Sequence, residues 1–129
     1  MACVRSREGT PAVNPGAHDL GGVYAFEGRG LHEPFAVDAG LRYTVPSGSV
    51  ARAVRFHVVN RSDDLICVVL VRDGSPLRYF PVAAQQEADI PAGAVEDLRG
   101  GSTLELQVAA PKGRSGSLTV ALGLAVSAA

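Results

Sequence analysis

The side chains with chemical capacity are few and scattered. The 129-residue chain carries three histidines, His18, His32 and His57, and two cysteines, Cys3 and Cys67. Nucleophilic hydrolysis needs a serine, a histidine and a carboxylate within hydrogen-bond reach. No Gly-x-Ser-x-Gly elbow is present to hold such a serine. His57 sits on the outward side of an alternating run, beside Arg55, and reads as a solvated or inter-strand residue. The neighbours His32-Glu33, with His57, are the only seeds an enzyme would have. The chain is therefore read as not an enzyme.

Metal and cofactor chemistry fares no better. Zinc takes closely spaced cysteines or histidines, and no two ligands here lie at strand or helix spacing. Asp63-Asp64 supplies the oxygen donors that calcium takes, but adjacent acids before a strand are ordinarily solvated turn residues. Gly28-Arg29-Gly30-Leu31-His32-Glu33 has two glycines, no third and no following helix, so it is not a dinucleotide loop. Asn60-Arg61-Ser62 matches the N-glycosylation sequon, a short pattern that matters only in a eukaryotic secretory pathway. No cofactor is expected.

Net charge is −1 and the pI about 6.3. That balance argues against a nucleic-acid partner and an anionic membrane surface. Arg52, Arg55 and Arg61 are close in sequence, yet Arg52 and Arg55 belong to opposite faces of a strand and make no basic stripe. Cys67 lies within Leu65-Ile66-Cys67-Val68-Val69-Leu70-Val71, where a thiol behaves as a small hydrophobe. Two unpaired thiols fit a reducing compartment. No segment is apolar enough to span a bilayer, and the start lacks the apolar core of a signal peptide. Cytoplasmic synthesis is expected, with a virion as one destination.

The elements that would position these residues are strands. Period-two alternation is the main signal. Val54, Phe56 and Val58 share one face of their run; Arg55 and His57 share the other. Leu104, Leu106 and Val108 face in, while Thr103, Glu105 and Gln107 face out. In the last run Leu118, Val120, Leu122, Leu124 and Val126 form one face, against Ser117, Thr119, Ala121, Gly123 and Ala125. The run Leu65 to Val71 is apolar on both faces, as a central strand covered on both sides is, with a subunit contact as one cover. Asp73-Gly74 signals a type I′ hairpin, and Val45-Pro46-Ser47-Gly48 and Ile90-Pro91-Ala92-Gly93 read as turns. Strands are expected over 22–27, 34–37, 41–45, 51–60, 64–72, 77–83, 86–90, 103–109 and 117–126. A chain of this length buries a core without disulfides. The pattern predicts an all-β, antiparallel two-sheet sandwich, jelly-roll-like, with about eight strands over 22–129.

Residues 1–21 have no periodicity and contain Pro11 and Asn14-Pro15-Gly16, which predicts an extended arm. The functional expectation follows. The chain is read as a non-enzymatic assembly protein, such as a phage or virus capsid decoration, tail or shell subunit. It would dock protein partners, or copies of itself as a homo-oligomer, through its arm and sheet faces. Arg5, Arg7, Pro11 and Pro15 of the arm, with Tyr79 and Phe80 of a strand, are the expected interaction residues. The alternative is a β-sandwich accessory module binding carbohydrate or a cell-surface polymer. It would want exposed aromatics, and the chain has no tryptophan.

Overall fold

Alternation in the last run is realised most fully. Strand β10 (Ser115–Ala128) buries Leu118, Val120, Leu122, Leu124 and Val126 and turns its small residues outward. It lies between β1 (Gly16–Glu27) and β4 (Ser49–Asn60), and β4 in turn pairs with β7 (Glu87–Asp89) and β8 (Leu98–Arg99). These strands form sheet A. Sheet B runs in the order β2 (Gly30–Phe35), β9 (Thr103–Ala110), β5 (Ile66–Arg72), β6 (Ser75–Val82), with β3 (Arg42–Thr44) also on β9. Every pairing is antiparallel. The computed structural model describes residues 16–129.

The inner faces of the two sheets supply one core. Phe56, Val58, Leu122 and Leu124 of sheet A meet Ile66, Leu70, Leu104 and Leu106 of sheet B. Each fully buried side chain of this size contributes about 1.5–3 kcal/mol. Phe56 and Phe80 cross the interior edge to face, with ring centres 5.3 Å apart. His18 stacks on Tyr43 at 4.0 Å and so joins the two sheets near one margin. Single 3-10 turns at Ala39–Leu41 and Ala92–Ala94 are the only helical elements among the described residues.

Turn chemistry sets the β5–β6 register. Asp73 and Gly74 both have positive φ, 51° and 84°, the conformation that an Asp-Gly type I′ turn requires. Arg72 therefore faces Ser75. Strand β5 buries both faces, as its composition predicts. Val69 is fully buried outside the main core, flanked across the sheet by Tyr79 and Gln107. Val69 is thus covered within one chain, while Cys67 on the same face is half-buried.

Several expected boundaries are corrected. Strand β1 begins at Gly16, not 22, and pairs continuously with β10 from Gly16↔Val126 to Glu27↔Ser115. Residues 16–21 belong to the sheet rather than to an arm. Only Leu20 is buried in that stretch, so pairing with β10 overrides a weak local pattern. Val54 faces out, 56% exposed, because the β4–β10 register shifts opposite Gly123 and Leu124 and turns Val54 and Arg55 to the same side. Strand β2 runs 30–35 rather than 34–37 and is bulged between Gly30 and Phe35. The two-residue β8 was not expected; it is too short to carry a periodic signal.

Candidate functional site

The three histidines do not converge. His18 is occupied by Tyr43. His32 and Glu33 lie exposed on the bulged β2. His57 projects from the outer face of β4, where the register sets it opposite Asp89 of β7. Its Nδ1 lies 2.5 Å from Asp89 Oδ1, and its Nε2 lies 3.5 Å from Glu87 Oε1. One ring nitrogen thus hydrogen-bonds a carboxylate of the neighbouring strand, and the other lies near a second carboxylate there. The cluster clips the three-residue β7 onto the sheet. Sequence inspection found His57 but missed its partners, which lie 30 residues or more away along the chain.

Asp63 and Asp64 are held by protein groups. Arg114 Nε donates to Asp64 Oδ2 at 2.8 Å, and Gln85 Nε2 donates to Asp63 Oδ1 at 3.2 Å. The Asp64 hydrogen bond and charge push the Arg114 guanidinium above its ordinary range. Beneath them lies a buried polar knot. Asn60, fully buried, donates from Nδ2 to the carbonyls of Asp64, Val82 and Ala83, and its Oδ1 accepts from Ser62 N and Oγ. The sequon asparagine is therefore sealed inside the fold and saturated with hydrogen bonds. Among the described residues, no group of three His, Cys, Asp or Glu side chains is placed to hold a metal ion. No described helix is long and apolar enough to cross a membrane.

Of the expected interaction residues, Arg5, Arg7, Pro11 and Pro15 lie outside the described residues, as does Cys3. Tyr79 stands on the outer face of sheet B, 61% exposed. Phe80, its neighbour on β6, points the other way and packs against the core. The pair cannot form one docking surface, because successive residues of a strand point to opposite faces. Tyr24 and Tyr43 are also packed against the core, so the tyrosines make no exposed aromatic platform.

What distinguishes the surface is the contrast among its sheet edges. An open edge presents unpaired N–H and C=O groups, and proteins guard such edges with proline, charge, bulges or short strands. The β6 edge carries Pro76 and Pro81. Arg78 also fastens it to the following loop, through Nε to the Ala94 carbonyl at 3.2 Å and Nη2 to Glu96 at 3.7 Å. The β2 edge is bulged and contains Pro34. The far edge of sheet A consists of three- and two-residue strands. Of these devices strand β1 has only charge, in Asp19 and Glu27, and its register with β10 is unbroken. It is 12 residues long, lacks proline and lysine, and pairs on its outer side with no described residue.

The face beside this edge carries small residues. Ala121 and Gly123 of β10 lie next to Gly21 and Asp19 of β1, and Val23 stands 68% exposed opposite Thr119. At the strand centre Gly22 has φ 153°, and a side chain there would strike the Tyr24 ring. Tyr24 OH donates to the Gly21 carbonyl at 3.0 Å. Compared with known proteins, the chain matches no family model, no curated protein and no solved structure.

Proposed function

We propose that this chain is a non-enzymatic jelly-roll assembly subunit that joins a second copy of itself through the open edge of β1. The jelly-roll reading is supported by nested pairing. Taking the eight principal strands in order, the first pairs with the last (β1·β10), the second with the seventh (β2·β9), the third with the sixth (β4·β7) and the fourth with the fifth (β5·β6). A hairpin rolled up on itself gives that pattern. Jelly rolls serve capsid shells and lectins alike, so the edge, not the fold, favours assembly.

The single observation that carries the reading is the 12-residue β1, unbroken and free of proline, among edges that are short, bulged or proline-bearing. Self-pairing about a two-fold axis is isologous and closes the edge of both copies at once. An antiparallel register centred on Gly22 keeps residues of like facing opposite each other. It sets Asp19 against Ala25 and Glu27 against Ala17, so no like charges meet. A capsid or shell is one setting for such a pair.

Hydrogen exchange tests the proposal. In a dimer, successive amides of β1 are all protected, and protection on the outer side falls on dilution. Fast exchange of alternate β1 amides at every concentration overturns it. Protection independent of concentration, meaning that residues 1–15 of the same chain close the edge, overturns it as well.

A further inference from the structure

A second feature lies at the end of β1, where the β1–β2 and β9–β10 turns meet. The turns are locked together by Gly28 N–H donating to the Arg114 carbonyl at 2.7 Å and Gly113 N–H donating to the Gly28 carbonyl at 2.9 Å. Gly28 is required there: a Cβ would stand 2.1 Å from the Pro111 carbonyl oxygen. This junction walls a cleft of about 530 Å³ lined by Glu27, Arg29, Phe35, Val37 and Lys112. That volume suits a small molecule.

The lining is chemically uneven. The Arg29 guanidinium carbon sits 4.2 Å over the centre of the Phe35 ring. Stacking of this kind orients the guanidinium and leaves its N–H edge available. Lys112, the only lysine of the chain, lines the same cleft. Among the described residues neither cation forms a salt bridge or a side-chain hydrogen bond. Glu27 is the one carboxylate in the lining. Two cations and one anion leave a net charge of +1, which suits a monoanion better than a dianion. Arginine's fork matches a carboxylate, and Glu27 can accept hydrogen bonds from hydroxyl groups.

We propose that this cleft binds a hydroxylated carboxylate, of which a uronic acid is the type. Arg29 and Lys112 take the carboxylate, Glu27 takes a hydroxyl, and Phe35 holds Arg29 in place. The test is a backbone-amide NMR titration of the full chain with sodium glucuronate, beside glucose, acetate and inorganic phosphate. Saturable shifts confined to residues 25–29, 35–37 and 111–114 are expected with glucuronate. Glucose and acetate should bind at least about tenfold more weakly, since each lacks one charge-assisted or hydroxyl contact. The double variant Arg29→Gln/Lys112→Gln changes two exposed side chains and should keep the wild-type amide spectrum elsewhere. Its glucuronate affinity should fall by about tenfold or more. Four results overturn the proposal: no saturable shift, glucose or acetate binding as tightly as glucuronate, phosphate binding more tightly, or an unchanged double variant.

Discussion

Replacing Asn60 with alanine should be among the most damaging single changes in this fold. The side chain is fully buried at the end of β4 and ties three segments together. Its removal takes buried hydrogen bonds from the Val82 carbonyl and the Ser62 N–H, at 3.0 and 2.9 Å. The Ala83 carbonyl lies in a partly buried setting and can turn to water. Ser62 Oγ retains the Asp64 carbonyl at 2.9 Å. Buried groups that lose a partner cost about 1–3 kcal/mol each, so a loss of about 4 kcal/mol is expected. That is a large share of the roughly 5–15 kcal/mol that stabilises a domain. At several degrees per kcal/mol, Tm should fall by about 10–20 °C. Asn60→Asp keeps the acceptor, loses both donors and turns a charge toward three carbonyls, so its loss should be at least as large. Urea unfolding followed by far-UV circular dichroism reads both variants. A loss below about 1 kcal/mol for Asn60→Ala would refute the reasoning, because solvent would then be replacing bonds described as sealed.

Two other perturbations follow from the same geometry. Gly28→Ala drives a methyl into the Pro111 carbonyl, so the β1–β2 and β9–β10 turns must separate. A loss of about 2 kcal/mol or more in urea unfolding is expected, and a neutral outcome contradicts the close approach. Burial pushes the Cys67 thiol up, partly offset by a backbone hydrogen bond from Phe80. A raised thiol holds less thiolate at neutral pH, so iodoacetamide should label Cys67 in a Cys3→Ser chain more slowly than a free cysteine peptide, with the rise in rate displaced to higher pH. Peptide-like labelling with an unshifted pH profile contradicts this.

The fold was legible where one face was buried and the chain alternated. The β10 and β9 patterns, the two-faced β5 and the Asp73-Gly74 turn could all be read from local residues. The start of β1 could not. Its first six residues bury only Leu20, and they are strand because β10 is there to pair with them. Val54 departs from its alternation because a bulge breaks the period of two inside an otherwise regular strand. Phe80 and Tyr79 are adjacent in sequence, which on a strand means opposite faces. Partners set by long-range register left no local mark: Asp89 for His57, Arg114 for Asp64, and the carbonyls around Asn60. Edge strands are likewise a property of sheet order, and β1 became conspicuous only once the other edges could be compared with it.

Assembly through β1 is tested most directly by solution mass. Light scattering of the full chain should give a dimer that dissociates on dilution. Val23→Lys/Ala25→Lys places two charges on the exposed face of β1, and this variant should run as a folded monomer. A chain beginning at Gly16 keeps all of β1 and should remain a dimer. A full-length monomer at the highest soluble concentration, or a dimer indifferent to the two lysines, would contradict the account.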